Sequence, residues 1–226
     1  MPPLIVTRRR TAFFFLGCAL LLLSACGFSD SSVEETPVER IYIVDQSGKH
    51  WDVTQAVVRY GFTASGFKFG LGALTPLINP AFAAPGDSVY PNDTDTFPVI
   101  GLSRSGTARA YRLADLVDIE VADDIFAGEP VVVVHRPLVD APSACTRMLD
   151  GDTLTIAASG WVYDNESVLF DHESDSMWYR LGSDGALTCI AGAHFGSVLP
   201  AVSSSVTLWN TWHAGHPAST FMLRPR

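Results

Sequence analysis

From Pro98 onward the chain is written in short β-prone runs separated by turn residues, the pattern of an antiparallel β domain. Val99–Ser103 and Thr107–Arg112 flank Arg104-Ser105-Gly106, which predicts a hairpin. Leu113–Val121 reads as a helical turn, and Gly128 leads into Pro130-Val-Val-Val-Val134. Four consecutive valines without alternation predict a strand covered on both faces. Met148-Leu149 and Thr153–Ala158 surround Asp150-Gly151-Asp152, a second hairpin signal. Short strands then follow at Trp161–Tyr163, Val168–Phe170, Met177–Leu181 and Leu187–Ala191. Ser204 or Ser205 is placed to cap a helix over Val206–His213, ended by Gly215 and Pro217.

The part before Pro98 is less regular. Arg40–Val44 and His50–Val53 flank the turn tetrad Asp45-Gln46-Ser47-Gly48 and predict a hairpin. Thr54 is placed to cap a helix over Gln55–Tyr60, closed by Gly61. Ser65–Phe97 has glycines and prolines throughout and no sustained period, yet carries Phe67, Phe69, Leu71, Leu74, Leu77, Ile78 and Phe82. Its apolar content predicts an ordered wrap across the sheet rather than a free loop. The fold class expected is therefore mainly β (a β-rich α+β chain). Its antiparallel sheets form a sandwich- or barrel-like body with a few short helices.

The N-terminus has a different texture. Arg8-Arg9-Arg10 precedes an apolar or small run over Thr11–Leu23, whose 13 residues fall short of the roughly 20 needed to span a bilayer. The run ends in Leu23-Ser24-Ala25-Cys26, which resembles the lipobox of bacterial lipoproteins. That resemblance implies cleavage before Cys26, transfer of a diacylglycerol to its sulfur and acylation of its new amino group, an anchor of palmitate-type chains. Residues 1–25 are then a lipoprotein signal peptide, 26–37 a polar tether containing Ser29, Asp30, Glu34 and Glu35, and 38–226 a single β-rich domain. Gly27 in place of Asp after the lipid-bearing cysteine implies sorting to the outer membrane, facing the periplasm. The expected partner is thus the membrane of a bacterial cell envelope, through the anchor.

Charge narrows the partners further. The formal net charge of −9 becomes more negative once three arginines leave with the signal, which argues against nucleic acid and against binding anionic headgroups through a basic face. Cys18 leaves with the signal as well, so Cys145 and Cys189 are the thiols of the domain, and an oxidising compartment permits a disulfide between them.

Candidate chemistry is sparse. Asp164, Glu166, Asp171, His172, Glu173 and Asp175 form an acidic group that reads better as turn residues around a short strand than as a cation or acid–base site. His213 and His216 stand three apart, but Gly215 and Pro217 break the helix a metal pair would need. Gly101-Leu-Ser103-Arg-Ser-Gly106 misses the G-x-S-x-G elbow, and phosphate-binding, dinucleotide and C-x-x-C motifs are absent from the sequence. No cofactor or metal is expected. The weak catalytic candidates are His135, Asp140 and Cys145, on and after the valine strand, where a buried strand empties into a polar loop.

Several stretches, in order, resemble a bacterial family, the domain-of-unknown-function family 3179 (DUF 3179). They are Gly106-Thr-Ala-Arg-Ala-Tyr-Arg-Leu113, Pro130–Val134, Pro137-Leu138, Thr153–Gly160, Val168-Leu-Phe-Asp171, Ser176-Met-Trp178 and Leu208-Trp-Asn-Thr-Trp212 through His216-Pro217. Gly48–Thr54 and Phe67–Gly72 resemble the longer members. By this resemblance the valine strand is followed by C-P-L-C-G, where this chain has Arg136-Pro137-Leu138-Val139-Asp140. Likewise N-W-H-E stands where this chain has Val117-Asp118-Ile119-Glu120. The resemblance therefore implies that a Cys/His site of the family is missing here. The function expected is a lipid-anchored envelope protein with a non-catalytic binding or scaffold domain. The alternative is a redox or metal-dependent enzyme rebuilt around His135, Asp140 and Cys145.

Overall fold

The computed structural model describes residues 39–135 and 142–224. The chain begins with the hairpin β1 (Tyr42–Val44) and β2 (His50–Asp52), then helix α1 (Thr54–Tyr60). A strap follows with three two-residue strands, β3 (Lys68–Phe69), β4 (Leu77–Ile78) and β5 (Phe82–Ala83). Next come β6 (Pro98–Arg104), β7 (Thr107–Arg112), β8 (Val121–Phe126), β9 (Glu129–Val134) and β10 (Ser143–Thr146). The minor hairpin β11 (Met148–Leu149) and β12 (Asp152–Thr153) leads to β13 (Ile156–Tyr163), β14 (Glu166–Asp171), β15 (Met177–Tyr179) and β16 (Leu187–Ala191). The chain closes with β17 (Val198–Leu199), β18 (Ser204–Leu208), α2 (Trp209–Gly215) and β19 (Thr220–Met222). The β-rich, largely antiparallel class expected from the sequence is the class observed.

Three multi-stranded sheets carry the fold: β17-β16-β15-β14-β13-β3, β10-β9-β8-β4 and β18-β6-β7-β19-β5. Side-chain alternation shows how they stack. On β9, Val132 and Val134 enter a core shared with Ile156, Leu169 and Trp178 of the six-stranded sheet. Val131 and Val133 enter a second core with Ile100, Leu102 and Tyr111 of the five-stranded sheet. The four-stranded sheet is therefore the middle layer. An antiparallel strand normally alternates because one face meets water; β9 does not alternate because both of its faces meet another sheet. Two outer cores complete the stack. Trp51 and Val53 of the N-terminal hairpin and Ala56 of α1 cover the far face of the six-stranded sheet, and Trp209 and Trp212 of α2 cover that of the five-stranded sheet.

The expected wrap is present and has a specific course. β3 pairs with β13, β4 with β8 and β5 with β19, so one continuous segment adds an edge strand to each of the three sheets in turn. Edge strands expose unpaired backbone groups, and the strap satisfies some of them: Leu71 N–H donates to Gly160 O at 3.2 Å and Leu74 N–H to Ala158 O at 2.9 Å. The crossing is made where β13 bulges between Ala158 and Trp161. Gly160 sits there at φ +78, with the Gly72 carbonyl 2.3 Å from where a Cβ would be. Only glycine allows that approach of two backbones.

Three local expectations are corrected. Val121–Phe126 is a central strand, and only Leu113–Asp115 of the preceding segment forms a 3-10 turn; Asp123 and Asp124 hide the strand because their charges interrupt its apolar pattern. Ser204–Leu208 is a strand paired with β6 rather than the first turn of a helix, because the edge of β6 offers a full ladder to a segment that contains β-branched Val206 and Thr207. Thr54 opens α1 but does not cap it: its Oγ1 accepts from Ile41 N–H at 2.8 Å. Gly61 closes that helix in the left-handed conformation as expected. Among the described residues, no helix is long and apolar enough to cross a membrane.

Candidate functional site

The end of the valine strand is built from three elements. His135 follows β9, is buried, and its backbone N–H donates to Glu120 O at 2.8 Å. Glu120 is held at φ +57 just before β8, a conformation uncommon outside glycine, and its Oε2 accepts from Ser167 Oγ on β14 at 3.0 Å. Ile119, where the resemblance would place a histidine, is half-buried against the core between the middle and five-stranded sheets. Asp140, Arg136 and Val139 lie outside the described residues.

Cys145 is not brought to this point. It stands on β10 opposite Val132, three residues along the ladder from His135, or about 10 Å of strand. Its thiol donates to Gly185 O at 3.1 Å, and burial pushes it up to about 12. Cys189, on β16, donates to Ala191 O at 3.3 Å and is likewise pushed up to about 12 by burial. Both are free thiols of one core, each engaged with a backbone carbonyl. The structure therefore forms no bridge between them. A thiol so far from its thiolate is a poor nucleophile at neutral pH.

The most charged buried site lies one turn of the ladder away, and sequence reasoning missed it. Asp123 and Asp124 are adjacent on β8, so they face opposite sides of the middle sheet. Asp123 Oδ2 accepts from Ile156 N–H of the six-stranded sheet at 2.9 Å, while its Oδ1 has no hydrogen-bond donor and faces Arg147 Nε at 4.0 Å. Asp124 Oδ2 accepts from Tyr111 OH of the five-stranded sheet at 2.5 Å and pairs with Arg109. Each aspartate thus ties the middle sheet to one neighbour. Burial pushes Asp123 up to about 7, against the lowering effect of Arg147. Burial also raises Tyr111 well above the usual phenol range, and the Asp124 carboxylate adds to it. Arg147 is itself buried and donates to three carbonyls, those of Val131, Leu154 and Asp124. A pair of carboxylates within an otherwise apolar strand was the available signal.

The acidic group of the sequence is structural. Asp171 accepts from Ser174 N–H and Oγ, both at 2.7 Å, and from Trp178 Nε1 at 2.8 Å. Asp45 repeats the device with Ser47 and Trp51, whose indole donates at 2.9 Å. Both aspartates close hairpins and fix a buried tryptophan, a likeness not legible in the spacing of the sequence. Glu173 accepts from Thr155 N–H at 2.9 Å, Glu166 pairs with Arg180, and Asp164-Asn165 form the β13–β14 turn at positive φ. His213 stacks on Trp209 at 5.1 Å and His216 lies 4.0 Å from the Trp212 ring. Among the described residues no three His, Cys, Asp or Glu side chains are grouped to hold a metal.

A cleft of about 740 Å³ lies between α1, the N-terminal hairpin and the loop after β16. Arg40, Arg59, Val58 and Phe195 line it, Arg40 pairs with Asp52, and Gln55 Oε1 accepts from Gly192 N–H at 2.8 Å across it. None of these residues stands out in the sequence.

No curated protein and no solved structure matches the chain. Residues 74–226, from the middle of the strap through the last strand and including the whole three-sheet stack after β3, match the family described as "Protein of unknown function (DUF3179)". The chain belongs to that family.

Proposed function

We propose that this is a lipid-anchored protein of the bacterial cell envelope, whose β domain works as a non-catalytic binding or scaffold module. The anchor rests on Leu23-Ser24-Ala25-Cys26 after a basic and then apolar segment. The non-catalytic reading is carried by one observation: Cys145, the nucleophile an enzyme reading would require, is fully buried and hydrogen-bonded, with its thiol at about 12. Asp123 and Asp124, buried nearby, are each engaged with a neighbouring sheet. The positions that the family resemblance assigns to cysteine and histidine hold Arg136, Val139 and Ile119, none of which ligates a metal or exchanges disulfides.

Two substitutions test the two halves of this reading. Cys26→Ala should shift the protein out of the membrane fraction, and unchanged fractionation would refute lipidation. His135→Ala with Cys145→Ala should leave the envelope phenotype of a deletion strain fully complemented, provided circular dichroism shows the fold retained. Loss of complementation by a folded variant would favour the enzyme built around those residues.

A further inference from the structure

We infer that the cleft beside α1 binds a small organic acid, a single carboxylate joined to an apolar body. The inference rests on the binding reading proposed above, to which it gives a place and a ligand class, and it does not depend on the anchor at Cys26. The helix sets the site. Gln55, Val58 and Arg59 stand three and four residues apart on α1 and so share one face, and all three line the cleft. Gln55 Oε1 accepts from Gly192 N–H at 2.8 Å, which ties the helix to the loop that forms the opposite wall.

The polar chemistry that faces this space is one-sided. Asp52 Oδ1 accepts from Thr54 N–H at 2.9 Å and its Oδ2 from Arg40, while Thr54 Oγ1 accepts from Ile41 N–H at 2.8 Å. With Gln55 Oε1 engaged by Gly192, each side-chain oxygen of the lining already has a donor. What remains are donors: the N–H groups of the Gln55 amide, and the guanidinium of Arg59, which makes no ion pair among the described residues. Such a lining recognises a ligand that accepts hydrogen bonds. Arg40 is neutralised by Asp52, so the lining offers one uncompensated positive charge. A planar guanidinium matches one carboxylate through two parallel hydrogen bonds.

The surroundings set the rest of the ligand. Val58 is exposed, and Phe195 is half-buried with its ring 5.6 Å from that of Tyr60, so the cleft has apolar surface on both the helix and the loop side. Its volume of about 740 Å³ falls within the ~300–1,000 Å³ of small-molecule sites. The formal net charge of −9 opposes a phosphate dianion or a polyanion more strongly than a monocarboxylate, because the repulsion grows with the charge of the ligand. The family match begins at residue 74, after Arg40–Arg59, so the family description assigns nothing to this helix.

The test is equilibrium dialysis of the full chain, with the same detergent on both sides, against 4-phenylbutyrate and its neutral counterpart 4-phenylbutyramide at neutral pH. The acid should saturate with a Kd below about 1 mM, and the amide should bind about tenfold more weakly, the scale on which a charge-assisted hydrogen bond exceeds a neutral one. R59Q should weaken the acid by about the same factor and leave the amide unchanged, because it removes the charge and not the apolar wall. F195A should weaken both. R104Q, which removes a cation from the five-stranded sheet instead, should change neither. Arg59 is exposed, so R59Q keeps the fold, as circular dichroism would show. No saturable uptake of the acid up to about 10 mM, equal affinity for acid and amide, or a Kd indifferent to R59Q overturns the inference. Fractionation of the Cys26→Ala protein and complementation by His135→Ala with Cys145→Ala read the proposed function separately, so a failure of the cleft and a failure of that reading are told apart.

Discussion

Asp123 offers the sharpest test of how the three sheets are held together. Its carboxyl is fully buried, accepts one backbone N–H, and keeps one oxygen without a hydrogen-bond donor beside Arg147. Burial raises its titration from 3.8 to about 7, so between those values the folded protein holds a proton that the unfolded chain has released. The sign follows directly. Stability from this group is fully present below about pH 4 and is lost as pH rises through about 7. The slope is about 1.4 kcal/mol per pH unit, so raising pH from 5 to 7.5 removes about 3 kcal/mol. Asp123→Asn keeps an acceptor for Ile156 N–H and cannot ionise. The stability of the wild type minus that of the variant, from urea unfolding at matched pH, should therefore fall by about 3 kcal/mol over that range, leaving the asparagine variant the more stable at pH 7.5. Taking the difference cancels the titration of histidines and of the other carboxylates. A difference that stays flat, or grows in favour of the wild type as pH rises, would mean that Asp123 is ionised throughout as a partner of Arg147, and the reasoning from burial would fail.

The remaining predictions concern packing and reactivity. Gly101→Ala places a methyl 2.4 Å from the Trp212 ring and should cost roughly 1–3 kcal/mol as α2 is pushed off its sheet, read as a lower melting temperature with loss of near-ultraviolet tryptophan dichroism; an unchanged melting curve would sink it. Gly160→Ala should be worse, because its methyl meets the Gly72 backbone at 2.3 Å and the residue is held at φ +78; a variant as stable as wild type would show that the strap does not cross β13 there. Cys145 and Cys189 should resist alkylation in the native protein at pH 8 and react fully in denaturant, as peptide mapping would show; rapid native labelling of Cys145 would revive it as a nucleophile.

Much of this protein was legible from its sequence alone. The valine run announced a strand buried on both faces, the turn residues marked most hairpins, and the glycine- and aromatic-rich strap was recognisable as ordered, because these features depend on local conformational preference and on apolar content. The β-rich class and the family followed from the same residues. Tertiary structure alone decided what the valine strand is sandwiched between. Alternation along one strand tells which faces are covered, but not whether a helix or another sheet covers them, and here each face meets a different sheet. It also decided the fate of the charged residues. Asp123 and Asp124 looked like an interruption of β pattern and are instead the latches between layers, since Ile156, Tyr111 and Arg109, which satisfy them, are remote in sequence or on another strand. Ser204–Leu208 became a strand because β6 had an open edge to pair. The thiol of Cys145 lost its promise as a reactive group for a similar reason: sequence placed it after a polar loop, and packing turned it into the core between two sheets. Local sequence fixes periods and turns; the partners across a buried interface are chosen by the chain as a whole.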